Sequence, residues 1–93
     1  MNSLTQTLLP SAADLQAKLQ AELKPSHLEV IDESAAHAGH AGANAQGHGS
    51  HFRVRIASEN FTGLTRVARH RLVYDALQVF IDQGVHAIAI EVL

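Results

Sequence analysis

The feature that most constrains the fold is an alternation of apolar and charged side chains near the middle of the chain. In an extended segment over residues 51–58, Phe52, Val54 and Ile56 point to one side, and Arg53 and Arg55 point to the other. A strand with this pattern has one buried face and one face toward solvent. The rest of the chain must therefore cover one side of a sheet.

A first helix is predicted before this strand. Ser11 is placed to be its N-cap, with Asp14 three positions later to complete a capping box, and Pro25 ends it. Leucines recur every four residues between these points, which puts them on one helical face: Leu15, Leu19 and Leu23. This face supplies part of the apolar cover.

A second helix and two further strands complete the pattern. The helix is predicted over residues 65–83 and is stopped by Gly84, and the strands over 27–33 and 85–93. In the last strand the two-residue period places His86 in line with the apolar side chains Ile88, Ile90 and Val92. This predicts that His86 lies on the core side of the sheet.

The element order is therefore helix, strand, strand, helix, strand, and the fold class is α+β. Both helices are expected on one face of a three-stranded mixed sheet, with the last strand parallel to the second through a crossover. Residues 1–10 are interpreted as a flexible lead and 11–93 as a single domain. Residues 35–50 form a Gly/Ala/His-rich loop between the first two strands.

Composition excludes several functions. The chain of 93 residues has no cysteine, so disulfides, a thiol nucleophile and an iron–sulfur or zinc site built on its own thiolates are excluded. A net charge of −2 is unlike a protein that is basic throughout. The chain has no membrane-length apolar run and no signal peptide pattern, so we expect a cytoplasmic protein without membrane association. It has no plausible catalytic triad and no phosphate-binding glycine loop, so we expect no enzyme activity.

Histidines are the candidate ligands, because seven occur in the chain and four fall within residues 37–51. From the residues alone, a loop histidine such as His37 is either a metal ligand or a solvent-exposed side chain. His48 is interpreted as loop, and His51 as structural because it opens a strand. His70 lies between two arginines, whose charge opposes a bound cation.

Five of the seven cationic residues fall within 19 positions: Arg53, Arg55, Arg66, Arg69 and Arg71. Three interpretations remain open. The arginines could contact nucleic-acid phosphates, or dock a partner through its carboxylates, or form a solvated face in which some pair with Asp75 or Glu59. Partner docking is the interpretation that we favour.

From about residue 14 to the C-terminus, the chain resembles the BolA family. The resemblance rests on His37 and on six blocks in order, which are Leu28-Glu29-Val30, Asp32-Glu33-Ser34, Ser50-His51-Phe52-Arg53-Val54, Phe61-Thr62-Gly63, Arg69-His70-Arg71-Leu72-Val73-Tyr74 and Val85-His86-Ala87-Ile88. It implies a class II KH-like fold, in agreement with the element order.

The resemblance also implies a function. Proteins of this kind form a heterodimer with a monothiol glutaredoxin and hold a [2Fe–2S] cluster between the two chains, with thiolates from the glutaredoxin and from glutathione. The implied ligands here are His86 and His37, with His40 as the alternative because the loop is longer than usual. The isolated chain is then expected to be a monomer without a cluster. The alternative function is a DNA-binding regulator of growth, morphology or stress response, with residues 65–74 as the recognition element.

Overall fold

In the computed structural model, the described residues, 9–37 and 49–93, follow the predicted order of elements. Helix α1 (Ala12–Leu23) precedes strand β1 (His27–Asp32) and a 3-10 turn (Ser34–His37). Strand β2 (His51–Ala57), a second 3-10 turn (Glu59–Phe61), helix α2 (Arg66–Asp82) and strand β3 (Ala87–Val92) follow. Neither helix of this part is long and apolar enough to cross a membrane.

The sheet has three strands in the order β1-β2-β3. Strand β1 is antiparallel to β2, and β3 is parallel to β2, which confirms the predicted mixed sheet. Parallel strands begin at the same edge, so β2 and β3 begin where β1 ends. We call this the amino edge, and it is marked by Asp32, His51 and Ala87.

The core lies between one face of the sheet and the two helices. The leucine stripe of α1 is buried, as predicted, and it meets the apolar face of β2 and one side of α2. The fully buried apolar members are Leu15, Leu19, Phe52, Val54, Ile56, Val73 and Leu77. Each such side chain contributes about 1.5–3 kcal/mol by leaving water, so this one-sided packing is what holds the helices to the sheet.

Local side-chain chemistry sets the ends of the helices. The predicted capping box is present, because the Asp14 amide donates to Ser11 Oγ at 3.2 Å and the Ser11 amide donates to Asp14 Oδ2 at 2.8 Å. Helix α1 ends at Lys24 in the left-handed region, with a φ of 45°. Thr65 caps α2 by accepting from the Ala68 amide.

The predicted placement of His86 on the core side is wrong. Strand β3 begins one residue later, at Ala87, and the His86 side chain is exposed. The His86 and Ala87 amides both donate to the Ser50 carbonyl, at 2.7 and 3.2 Å. His86 therefore belongs to the turn that enters the strand, where the two-residue alternation of a pleated chain does not apply.

Candidate metal-ligand site at the amino edge

Two histidines meet at the amino edge. His51 opens β2 and His86 directly precedes β3, and the parallel register sets His51 opposite Ala87. The imidazole ring centroids of His51 and His86 are 5.3 Å apart, and the ring planes are tilted by 48°. The imidazole rings of His51 and His86 are thus neighbours, although the two residues are 35 positions apart in sequence.

The His51 ring is held from one side by a serine. It is only 7% exposed, and its Nδ1 lies 2.8 Å from Ser50 Oγ. The backbone beneath it is fixed by the buried Ser34 hydroxyl, which accepts from the Ser50 amide at 2.9 Å and from the His51 amide at 3.1 Å. The first residues of β2 therefore have a defined position.

Asp32 and Ser34 together tie the two ends of the loop that joins β1 to β2. One carboxylate oxygen of Asp32 accepts from the Ser34 amide at 2.8 Å, and the other accepts from the Gly49 amide at 3.0 Å. We call Asp32 and Ser34 the loop clamp. Because of the clamp, the loop leaves the sheet and returns to it at one point.

Leu9 lies against the backbone on both approaches to the histidine pair. A Cβ added to Gly49 would lie 2.6 Å from Leu9 Cβ, and one added to Gly84 would lie 3.2 Å from Leu9 Cδ2. Gly49 also has a φ of +75°, in the left-handed region that favours glycine. Leu9 and the buried Pro10, at the end of the ten-residue lead, thus pack beside the amino edge.

The three candidate ligands are placed differently. His86 lies at the amino edge, and His37 closes the 3-10 turn that follows β1, although its side chain is outside the described part. His40, like His48, lies outside the described residues. Within residues 9–37 and 49–93 no group of three or more His, Cys, Asp or Glu could hold a metal. Among the described residues, the amino edge thus carries two neighbouring imidazoles but no third side chain that would complete a metal site.

The sequence analysis missed the partnership of His51 with His86. His51 was interpreted as structural because it opens a strand beside Phe52. The signal that could have revealed the pair is the crossover: if β3 returns parallel to β2, the residue that opens β2 and the residue just before β3 meet at one edge. Both of these residues are histidines.

Arg53 and Arg55 lie on the open face of the sheet, where they pair with glutamates rather than with Asp75 or Glu59. Arg53 Nε is 2.9 Å from Glu33 Oε2, and its Nη1 is 2.7 Å from Glu91 Oε2. These hydrogen bonds, to Glu33 first and then to Glu91, raise the pKa of the Arg53 guanidinium above its ordinary value. Arg55 lies 3.5 Å from Glu91 and from Glu29, so one network of charges spans all three strands.

The remaining arginines are on the first turns of α2. Arg69 is half-buried, and its Nε donates to the Leu64 carbonyl at 2.9 Å, which fixes the turn before the helix. Arg66 and Arg71 are exposed and form no ion pair with any described residue. They line an open groove of about 460 Å³ whose other lining residues are Val67, His70, Tyr74 and Asp75.

Solved structures identify the class of this fold. BolA1 from Arabidopsis thaliana superposes with a TM-score of 0.77 at 42% sequence identity, over 91% of this chain and 92% of that one. The fold is therefore that of the BolA proteins, with two helices on one face of a three-stranded mixed sheet.

The chain belongs to the BolA family: the model of the BolA-like protein family matches residues 19–93. A Sinorhizobium protein described as "Uncharacterized protein in cobS 5'region" is 46% identical over 90 residues, which cover 96% of this chain and 88% of that protein. The chloroplastic protein BOLA1 of Arabidopsis thaliana is 45% identical over 80 residues, 85% of this chain but 50% of that protein.

An Escherichia coli relative carries a functional name. The "DNA-binding transcriptional regulator BolA" is 40% identical over 76 residues, 82% of this chain and 68% of that protein. The chain thus spans most of the bacterial relatives and about half of the plant one.

Proposed function

We propose that this chain binds a monothiol glutaredoxin and shares a [2Fe–2S] cluster with it, acting in iron–sulfur cluster trafficking or iron regulation. The observation that carries the proposal is the exposed His86 at the amino edge, with a second imidazole beside it. The chain has no cysteine, so it brings imidazoles only, and the thiolates come from the glutaredoxin and from glutathione.

The donor set fits such a cluster. A [2Fe–2S] centre with two imidazoles on one iron and two thiolates on the other is a known type, and its reduction potential is higher than with four thiolates. Because neutral imidazole is the ligand, and acid protonates it, a cluster held in this way is released readily as pH falls. This suits a protein that passes a cluster on.

The ligands come from distant parts of the sequence. His86 is the first, and the family resemblance implies His37 as the second, with His40 as the alternative. The 3-10 turn that ends at His37 follows β1, whose last residue lies at the same edge of the sheet as the first residue of β3. The amino edge is therefore the face that we expect the glutaredoxin to cover.

The test is an anaerobic titration of this chain into cluster-loaded glutaredoxin with glutathione, followed by visible circular dichroism. We expect a spectral change that saturates at one-to-one. His86→Ala should abolish the change, because the exposed ligand is lost without disturbing the core. His27→Ala is the matched control, since His27 is also exposed but opens β1 at the opposite edge of the sheet.

A glutaredoxin spectrum that persists unchanged in the presence of the wild-type chain would overturn the proposal. So would a change that His86→Ala leaves intact, because the cluster would then not be held through the amino edge.

DNA binding through the start of α2 is the second candidate. It is favoured by Arg66 and Arg71, which are exposed and have no ion-pair partner among the described residues, and by the name of the Escherichia coli relative. Phosphate contacts of this kind give a strong dependence of affinity on salt. Arg53 and Arg55 are less suited, because glutamates already neutralise them.

Fluorescence anisotropy with duplex DNA tests this second candidate. Arg71→Ala should weaken binding at every sequence and reduce the slope of log affinity against log salt by about 1. Lys18→Ala removes the same charge from α1 and should leave both quantities unchanged. Binding that is absent at physiological salt, or that weakens equally in both variants, contradicts a DNA-binding role for α2.

A further inference from the structure

We propose that Leu9 is a positioning residue for His86, because its side chain packs against the two glycines that lead to the amino edge. The inference rests on the proposed function and adds a residue to that same site. It holds whichever residue of the loop is the second ligand. Leu9 has no metal-binding atom, so it acts only through the backbone that carries His86.

The two glycines occupy the same place relative to a histidine. Gly49 is two residues before His51, and Gly84 is two residues before His86. A Cβ added to Gly49 would lie 2.6 Å from Leu9 Cβ and 3.3 Å from Leu9 Cδ1, and a Cβ added to Gly84 would lie 3.2 Å from Leu9 Cδ2. The two methyl groups of Leu9 thus lie against different backbone segments, and the side chain bridges them.

The turn before β3 has one point of high conformational freedom. Gly84 has a φ of +122°, in the region that favours glycine, and glycine restricts the backbone least of all residues. After Gly84 the chain is held more firmly, since Val85 is 3% exposed and the His86 amide donates to the Ser50 carbonyl at 2.7 Å. Packing of Leu9 Cδ2 against Gly84 restricts the remaining free joint of the turn.

Leu9 also connects this turn to the loop clamp. The Gly49 amide donates to Asp32 Oδ2 at 3.0 Å, so the segment against Leu9 Cδ1 is fixed to the end of β1. Leu9 therefore contacts a fixed segment with one methyl group and the Gly84 turn with the other. This contact sets the position of the turn that presents His86 relative to the clamp.

The role of Leu9 is separable from the stability of the core. Leu9 is half-buried and precedes α1, whereas the core is formed by residues from Ala12 onward. The family match begins at residue 19, so Leu9 lies outside the part of the chain that the family model describes. Shortening Leu9 should therefore loosen the turn before β3 while the helices stay packed on the sheet.

A looser turn weakens binding, because the ligand must then be ordered when the complex forms. The His86 side chain is exposed, so the backbone beneath it determines where the imidazole lies. Ordering one mobile side chain on association lowers affinity by roughly two- to tenfold. We expect Leu9→Ala to weaken binding to cluster-loaded glutaredoxin within this range, with the same final spectrum, because His86 remains the ligand.

Two measurements test the proposal. Circular dichroism titration of the chain into cluster-loaded glutaredoxin with glutathione gives the affinity, and backbone ¹⁵N relaxation of the free chain gives the mobility of Gly84, Val85 and His86. In Leu9→Ala the affinity should fall, and the heteronuclear NOE of these three amides should decrease. Leu9→Met keeps the side-chain volume and should restore both quantities to wild-type values.

Leu28→Ala is the matched control. Leu28 is also half-buried, but it pairs with Ile56, near the opposite edge of the sheet. The substitution removes the same atoms, and it should lower the free energy of unfolding without changing the affinity or the mobility of the three amides. Urea unfolding of each variant establishes that it is folded under the conditions of the titration.

Unchanged affinity in Leu9→Ala would overturn the proposal, and so would equal weakening in Leu28→Ala, because the effect would then be one of general stability. Weaker affinity with unchanged relaxation at the turn would also overturn it, because Leu9 would then act by touching the partner. These results overturn the role of Leu9 alone, provided that the wild-type titration saturates. A wild-type chain that causes no spectral change would overturn the proposed function, and this inference with it.

Discussion

At the scale of single residues, one serine, Ser34, orders the backbone at the amino edge. Ser34 is 1% exposed, and its hydroxyl accepts from two backbone amides that have just crossed from the loop into β2. Buried amides without an acceptor are costly, so this small side chain determines whether the start of the strand is well ordered.

Ser34→Ala should therefore lower the free energy of unfolding by about 1–3 kcal/mol, because two buried amides lose their acceptor. Urea unfolding followed by far-UV circular dichroism measures the loss. Ser26→Ala is the control, since Ser26 is exposed and its hydroxyl makes only a 3.3 Å bond to the Ala57 carbonyl. Equal losses in the two variants would contradict the role given to Ser34.

At the scale of elements, short sequence patterns correctly predicted the ends of α1 and the buried face of β2. The capping box at Ser11 and the proline at position 25 bracket α1 correctly, and the alternation around Val54 gives the buried face of β2. The side of His86 was not predictable from alternation, because the residue lies in a turn whose hydrogen bonds go to Ser50.

The contact between His51 and His86 was not predicted, for a different reason. It depends on the register between two strands that a helix separates, and no short-range pattern encodes that register. The blocks that resemble the BolA family established the family, which the fold confirms, whereas the identity of the second ligand remains a prediction.

The charge network on the open face of the sheet gives a prediction at this scale. Arg53→Gln should lower the urea midpoint at low salt, because Arg53 bridges Glu33 on one side and Glu91 on the other. The effect should shrink at 1 M salt, roughly, where the Debye length is about 3 Å. Arg71→Gln, which breaks no ion pair with a described residue, should leave the midpoint unchanged at both salt concentrations.

The sign of the pH dependence follows from the same pairs. A guanidinium whose folded-state pKa is raised contributes stability below its unfolded pKa and loses it only as pH rises through the folded one. The pKa of Arg53 is raised from an already alkaline value, so Arg53 stays charged between roughly pH 6 and pH 9. Ionisation of Arg53 should therefore not alter the difference in urea midpoint between Arg53→Gln and wild type over this range. Equal urea midpoints for Arg53→Gln and wild type at both low and high salt would contradict the network.

At the scale of the whole molecule, three distant parts of the chain converge beside the candidate site. Leu9 precedes α1, Gly49 ends the loop before β2, and Gly84 begins the turn before β3, yet Leu9 approaches both glycines. The amino edge thus has beside it residues that come before β1, between β1 and β2, and between β2 and β3. Leu9 thus packs beside the two backbone segments that lead to His51 and His86.

Gly49→Ala should destabilise the fold by more than Gly63→Ala does. Both glycines have positive φ, +75° and +79°, so alanine at either position carries backbone strain of about 1–2 kcal/mol. Only at Gly49 would the new Cβ also meet Leu9, at 2.6 Å, whereas nothing lies within 4 Å at Gly63. Thermal and urea unfolding of the two variants measure the difference, and equal losses would contradict the packing of Leu9 against Gly49.

The loop clamp has a consequence for how this protein can be changed. Asp32 and Ser34 bind the returning backbone at Gly49, Ser50 and His51, so the ends of the intervening segment are joined whatever its composition. Doubling the length of a closed loop costs only about 0.6 kcal/mol. Foreign sequence such as an affinity tag, inserted between the clamped ends, should therefore cost little stability, and the sheet should keep its place.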